Sequence, residues 1–126
     1  MRKILVVEDE KNIVLSLKML LQKGGYEVIV ATDGINALKM AQEQKPDLIL
    51  LDILLPKLNG YLVCEALKDE METKHIPIVI ISAKTQKEDI DKAFAVGALD
   101  YIVKPFTHDQ IKNVVNKYLK EVVSNE

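Results

Sequence analysis

Short apolar runs alternate along this chain with longer segments in which apolar residues recur every three or four positions. The short runs are rich in Val, Ile and Leu and predict β-strands, whereas the three-and-four spacing predicts one-sided helices. The predicted strands cover residues 3–7, 27–31, 48–51, 78–81 and 99–103. The predicted helices cover residues 11–23, 34–43, 61–70 and 87–96, and a last helix follows Thr107 and ends near Val123.

Residues that favour helix starts and stops stand at these predicted boundaries. Asp33 is a favourable N-cap, and Thr107 with Gln110 forms a capping-box pattern. Gly24-Gly25 is expected to end the first helix because glycine accepts the left-handed backbone conformation without steric cost.

The regular alternation predicts an α/β fold in which parallel strands are joined by helical crossovers. The runs that start at Ile4, Leu48 and Ile78 are continuously apolar, as expected for central strands that are covered on both faces. The runs that start at Glu27 and Leu99 carry polar residues and are expected at the edges. These assignments predict a doubly wound (βα)₅ fold with the strand order 2-1-3-4-5.

Polar residues follow four of the five predicted strands at the point where each strand ends. Glu8 and Asp9 follow the first strand, Asp52 the third, Ser82 the fourth and Lys104 the fifth. In such a sheet, ligands bind at the carboxyl ends of the strands near the reversal of strand order. We therefore expect these five side chains to share one cleft.

The chemistry of this group points to a cation and a phosphoryl group. Three carboxylates in one cleft repel one another and need a compensating cation. Oxygen ligands without paired His or Cys favour Mg²⁺ over zinc. An ionised Asp52 beside Mg²⁺ and Lys104 has the properties of a nucleophile toward phosphorus. Each residue alone also fits a structural role, such as solvating or capping a helix start, so the joint pattern is what favours a phosphoryl-accepting site.

Composition narrows the class of protein further. The 126 residues suffice for one domain, and a formal net charge of −2 gives no electrostatic reason to expect nucleic acid or an anionic membrane as a partner. The single cysteine, Cys64, excludes an internal disulfide and fits a reducing compartment. No apolar stretch is long enough to span a bilayer, and the N-terminus has no secretory pattern, so we expect a cytoplasmic protein.

Five segments resemble the receiver domain of two-component response regulators (CheY-like proteins), and the resemblance covers essentially the whole chain. They are ILVVEDE at 4–10, PDLILLD at 46–52, LPKLNG at 55–60, PIVIISA at 77–83 and GALDYIVKPF at 97–106. The resemblance implies a flavodoxin-like fold and a phosphoryl group that passes from a histidine kinase or phosphotransfer protein to Asp52. It also implies that Mg²⁺ is held by Asp9, Asp52 and the Leu54 backbone carbonyl, with Glu8 acting through water.

The same resemblance implies further roles. Lys104 is expected to pair with the phosphoryl group, Ser82 to donate a hydrogen bond to it, and Tyr101 to change rotamer as Ser82 moves. The bond before Pro105 is expected to be cis. Glu8 stands where Asp is commoner and Ser82 where Thr is commoner, and neither change removes a required group. An apolar Leu54 cannot orient an attacking water, which implies slow loss of phosphate.

The expected organisation is a receiver domain at residues 1–123, a short tail at 124–126 and no output domain, either as a protein acting alone or as part of a longer regulator. We expect a signalling phosphoacceptor that catalyses only its own phosphorylation and dephosphorylation. It would control a downstream effector protein or a missing output domain through the surface of the fourth helix, fifth strand and fifth helix. Val114 stands where regulators that dimerise through this surface carry a basic residue, so we expect a monomer or weak homodimer.

Three other classes of protein compete with this interpretation. Haloacid-dehalogenase-like phosphatases need a second aspartate two positions after the nucleophile, where this chain has Leu54. A flavodoxin-like electron carrier needs a phosphate-cradling loop after the first strand, where Glu8, Asp9 and Glu10 would repel a phosphate. A receiver-shaped binding module that no longer takes phosphate stays open.

Overall fold

The computed structural model describes residues 1–119 as five parallel strands and five helices in strict alternation. The strand order is β2-β1-β3-β4-β5, which confirms the predicted fold and topology. The strands are β1 (Lys3–Val7), β2 (Glu27–Ala31), β3 (Leu48–Leu51), β4 (Ile78–Ser82) and β5 (Asp100–Val103). The helices are α1 (Lys11–Lys23), α2 (Gly34–Gln44), α3 (Gly60–Asp69), α4 (Lys87–Ala95) and α5 (His108–Tyr118). The predicted end of the last helix near Val123 and the tail at 124–126 lie outside the described residues.

Two apolar layers enclose the sheet because successive side chains of a strand point to opposite faces. One layer packs the sheet against α2, α3 and α4, and it includes Leu5, Ile49, Ile80, Ala41 and Leu67. The other packs the sheet against α1 and α5, and it includes Ile4, Leu50, Ile81, Leu17 and Ile111. The three central strands bury nearly all their side chains, whereas β2 and β5 stand at the edges, as predicted.

Element boundaries differ from the predictions by one residue at several positions. β4 extends through Ser82, which pairs in register with Val103 of β5. β5 begins at Asp100 because its register with β4 starts there, and the preceding Leu99 side chain is half exposed. At the end of α1, Gly24 stays right-handed and Gly25 takes the positive φ of 92°.

The predicted helix caps form. Asp33 accepts a hydrogen bond of 2.8 Å from the Asn36 amide at the start of α2. Thr107 and Gln110 make both bonds of a capping box at the start of α5. None of the helices within residues 1–119 has the length and apolar character needed to cross a bilayer.

Candidate functional site

Backbone hydrogen bonds of the sheet continue one residue past the strands and fix the site residues. The amide of Asp52 donates to the carbonyl of Val7 at 3.0 Å. The amide of Lys104 donates to the carbonyl of Ser82 at 2.9 Å, and that of Glu8 donates to the last residue of β2 at 3.0 Å. These bonds hold the end of β1 between the ends of β2 and β3, and the end of β5 beside that of β4, so that the residues after the strands gather at one edge of the sheet.

The structure brings the three sequence-predicted acids together at this edge. Glu8, Asp9 and Asp52 each offer a carboxylate oxygen, and these oxygens all lie within 4.8 Å of one another. Glu8 and Asp52 are buried, whereas Asp9 is exposed at the mouth of the cleft. The acidic cluster is therefore open to solvent on the side of Asp9.

Lys104 enters the cluster from β5 and bridges the two buried acids. Its Nζ lies 2.7 Å from Glu8 Oε1 and 3.2 Å from Asp52 Oδ2, with only 15% of the side chain exposed. The peptide bond between Lys104 and Pro105 is cis, as the resemblance implied. The shorter contact to Glu8 is a partnership that sequence reasoning missed, since the lysine was expected to serve the phosphoryl group beside Asp52.

The charges in the cleft shift the pKa values of both members of the shorter pair. Burial raises the pKa of Glu8 above its ordinary value, because it outweighs the hydrogen bond from Lys104, and the nearby charge of Asp52 adds to the rise. Burial acts to lower the pKa of Lys104, but the hydrogen bond to Glu8 and the charge of Asp52 raise it overall. Lys104 therefore stays charged and compensates part of the negative charge.

The loop after Asp52 is held close to the site. Asp52 Oδ1 accepts a long hydrogen bond of 3.4 Å from the Leu54 amide. A Cβ added to Gly60 would stand 2.3 Å from the Asp52 carbonyl oxygen and 2.7 Å from Ile53 Cα. Only a residue without a side chain lets α3 start against this backbone, a role of Gly60 that the sequence pattern alone did not reveal. The Leu54 side chain is 59% exposed, and its carbonyl as a metal ligand stays a prediction.

Ser82 and Tyr101 meet at the loop between β4 and α4. Ser82 is fully buried, and its Oγ accepts a 3.2 Å hydrogen bond from the Lys84 amide. The Tyr101 hydroxyl donates to the Lys84 carbonyl at 2.8 Å. Burial raises the pKa of Tyr101 above its ordinary value. The two residues predicted to form the switch are therefore linked through the backbone of one residue, Lys84.

The donor set fits Mg²⁺. All three acids offer hard oxygen ligands, and no His or Cys side chain belongs to this cluster within the described residues. One ammonium stands against three carboxylates, so the cluster has an excess of negative charge that a divalent cation balances. The exposed mouth at Asp9 leaves room for the water ligands that Mg²⁺ retains.

A family model described as the response regulator receiver domain matches residues 4–116. Among curated relatives, the chain is 43% identical over 119 residues to the alkaline phosphatase synthesis transcriptional regulatory protein PhoP of Bacillus subtilis, covering 94% of this chain and 49% of that protein. It is 34% identical over 119 residues to protein PilH of Pseudomonas aeruginosa, covering 94% of this chain and 98% of PilH. The chain thus spans about half the length of the first curated relatives it matches, which include PhoP.

Solved structures of similar fold agree with these matches. One is the receiver domain of the sensor histidine kinase PA1611 from Pseudomonas aeruginosa, which has a magnesium ion coordinated in its active-site cleft. It superposes with a TM-score of 0.88 at 28% sequence identity, covering 95% of this chain and 98% of that chain.

Proposed function

The chain belongs to the response regulator receiver domain family, and on that premise we propose that Asp52 is its phosphoacceptor and takes the phosphoryl group from a phosphohistidine. The observation that carries this proposal is the buried Asp52 carboxylate between Lys104, at 3.2 Å, and the oxygens of Glu8 and Asp9. Membership of this family also decides against a dehalogenase-like phosphatase and against a flavodoxin-like electron carrier.

The transfer is a displacement at phosphorus. A carboxylate oxygen of Asp52 attacks the phosphorus atom, an O–P bond forms, the N–P bond to the donor histidine breaks, and the imidazole leaves with the electron pair. Asp9, Asp52 and the Leu54 carbonyl would hold Mg²⁺, with Glu8 acting through water; this ion, when bound, supplies charge neutralisation on the transferred oxygens. Lys104 contributes a second positive charge, 3.2 Å from Asp52 Oδ2.

Once Asp52 is phosphorylated, its partners change. Lys104 keeps Glu8 as its near neighbour and exchanges the Asp52 oxygen for a phosphoryl oxygen, and the Ser82 hydroxyl donates to another. Two charge-assisted bonds would supply about 3–6 kcal/mol, and about 5.5 kcal/mol moves a two-state equilibrium from 1:99 to 99:1. The phosphoryl group is therefore able to drive a nearly complete switch with little margin.

The output surface in this proposal is formed by α4, β5 and α5 and contacts a downstream protein or an output domain. Two of its charges are already paired within the chain. Asp100 accepts from Lys117 at 3.4 Å and from Tyr118 at 3.2 Å, and Lys87 pairs with Asp91 at 3.0 Å. These internal pairs compete with contacts to a second copy, which supports a monomer or weak homodimer.

Intact-protein mass spectrometry after incubation with acetyl phosphate and Mg²⁺ tests the proposal. We expect one labile phosphoryl adduct on the natural chain, no adduct on Asp52→Asn, and an undiminished adduct on Asp69→Asn, which alters an exposed acid on α3. An adduct that persists on Asp52→Asn would refute the assignment. The absence of any adduct, with a histidine kinase also tried, would favour the receiver-shaped binding module instead.

A further inference from the structure

Helix α4 is held to the body of the protein by unusually little apolar burial. Ala93 is its one fully buried residue, whereas every other helix within residues 1–119 buries at least two. Hydrophobic burial is the main favourable term that fixes a helix on a sheet. The position of α4 must therefore depend more strongly on its polar contacts.

Three tyrosine hydroxyls make such contacts, each with a backbone carbonyl in or beside α4. They come from three different elements and reach the loop before α4, its first turn and the loop after it. The pairs are Tyr101 of β5 with Lys84 (2.8 Å), Tyr61 of α3 with Asp89 (3.1 Å) and Tyr118 of α5 with Leu99 (3.1 Å).

Of the three donors, Tyr61 alone joins α4 to the phosphoacceptor loop. It directly follows Gly60, whose amide donates to the Ile53 carbonyl at 2.8 Å and where an added Cβ would stand 2.3 Å from the Asp52 carbonyl oxygen. Its ring is 8% exposed, and the Lys92 ammonium lies 4.5 Å from the ring centre as a second attachment to α4. The Tyr61 side chain is therefore a direct connection between the backbone after Asp52 and α4.

Asp89 receives contacts from both sides of the site. Its carboxylate lies 3.7 Å from the Lys84 ammonium, and its backbone carbonyl accepts from Tyr61. Lys84 in turn donates its amide to Ser82 Oγ. A continuous set of contacts thus runs from the predicted switch hydroxyl at Ser82, through Lys84 and Asp89, to Tyr61.

We propose that Tyr61 is a positioning residue whose hydroxyl anchors the first turn of α4 and couples that turn to the phosphorylation state of Asp52. The coupling rests on the proposed function; the anchoring does not. Tyr61→Phe keeps the buried ring and removes only the hydroxyl. Tyr118→Phe is the control, because it removes a hydroxyl that donates at the same distance to the carbonyl of Leu99, beyond the C-terminal end of α4. It also removes a contact of 3.2 Å with Asp100, which lies outside α4.

Amide hydrogen exchange measured by NMR tests the anchoring without a phosphodonor. In Tyr61→Phe we expect exchange in the first two turns of α4 to be about threefold to tenfold faster, the range that corresponds to one net hydrogen bond. Exchange in β1 and β3 should be unchanged, which confirms an intact fold. Tyr118→Phe should leave the first two turns of α4 unaffected. Unchanged α4 exchange in Tyr61→Phe, or equal acceleration in both variants, would overturn the proposal.

A second experiment tests the coupling, by measuring the change in amide exchange that phosphorylation causes; a purely structural role of Tyr61 would leave this change unaltered. After incubation with acetyl phosphate and Mg²⁺, Tyr61→Phe should form the same Asp52 adduct. The change in exchange at Lys84 should be kept, but most of the change in α4 should be lost. Asp89→Asn removes the ion pair with Lys84 and keeps the carbonyl, so its effect on the α4 response should be non-additive with Tyr61→Phe.

The outcomes separate the two proposals. A full change in α4 exchange in Tyr61→Phe, or strictly additive effects of the two substitutions, would overturn the coupling, while the adduct would leave the proposed function standing. A missing adduct in the natural chain would instead refute the proposed function, and the exchange experiment without a phosphodonor would still decide the anchoring.

Discussion

Replacing Lys104 with methionine tests how much the acidic cluster depends on its internal cation. Methionine keeps much of the length and apolar stem of lysine and removes the charge. The substitution leaves Glu8 and Asp52 buried next to each other without the ammonium that lies 2.7 Å and 3.2 Å from their oxygens. We expect the variant to fold but to be less stable in the absence of a divalent cation.

The size of the loss follows from these distances. With an effective dielectric constant of about 20, each pair attracts by about 5–6 kcal/mol before desolvation is counted. Desolvation of the largely buried lysine offsets much of this, and removing one partner of a buried pair typically destabilises by about 3–5 kcal/mol. Burial raises the pKa of Glu8, and loss of the Lys104 hydrogen bond raises it further, so protonation relieves part of the penalty. We therefore expect about 3 kcal/mol at neutral pH.

Urea denaturation followed by circular dichroism, with and without millimolar Mg²⁺, is the assay. The stability deficit of Lys104→Met should shrink when Mg²⁺ is added, because the cation replaces the missing charge. It should also shrink as the pH falls through the raised pKa of Glu8, because the protonated acid no longer needs a partner. Lys117→Met, which breaks an exposed pair with Asp100, should change stability little. Equal stability of Lys104→Met and the natural chain at neutral pH without Mg²⁺ would refute the reasoning.

Three further predictions concern the frame of the site. Gly60→Ala should destabilise the protein by about 2 kcal/mol or more and reduce the Asp52 adduct, because the new Cβ overlaps the Asp52 carbonyl. In the control Gly24→Ala the new Cβ meets no atom closer than 3.4 Å, so its free energy of unfolding in the same urea titration should stay within about 1 kcal/mol of that of the natural chain. Thr107→Ala should cost about 1 kcal/mol by loss of the capping box, and Thr107→Ser should restore most of it. The Asn36 amide lowers the pKa of the Asp33 carboxyl. The stability that the ionised Asp33 contributes should be present above the ordinary pKa of 3.8 and lost as the pH falls through the lowered pKa. The free energy of unfolding should therefore fall less steeply with acid in Asp33→Asn than in the natural chain, and equal slopes would count against this role of Asp33.

The order of elements and the edge strands were predictable because burial on both faces leaves a direct mark on a strand. The apolar runs that start at Ile4, Leu48 and Ile78 lie in the central strands β1, β3 and β4, whereas the edge strands β2 and β5 begin with the acids Glu27 and Asp100. The exact boundaries were not predictable in the same way. Whether Leu99 or Asp100 opens β5 depends on its register with β4, and register is a property of two strands rather than of one.

The gathering of the acids and Lys104 was likewise predictable, because the carboxyl ends of parallel strands meet at one edge. Which acid lies closest to the Lys104 ammonium was not predictable. Glu8 and Asp52 stand on adjacent strands, and the extra methylene of glutamate brings Oε1 closer to the ammonium than Asp52 Oδ2. Such a difference of half an ångström depends on side-chain length and backbone position together, which a sequence pattern does not specify.

The contacts of α4 show where sequence reasoning reaches its limit. Tyr61 stands at the start of the predicted third helix and is buried, yet its hydroxyl donates to the Asp89 carbonyl, which lies 28 positions away in the chain. Every residue type presents the same backbone carbonyl, so no residue code marks the acceptor. Patterns of apolar and polar residues therefore predict the helices themselves, whereas the hydrogen bonds that hold a weakly buried helix such as α4 are set by the tertiary fold. The residues that position α4 are accordingly those whose hydroxyls donate to its backbone and to the backbone of the loop before it, such as Tyr61 and Tyr101.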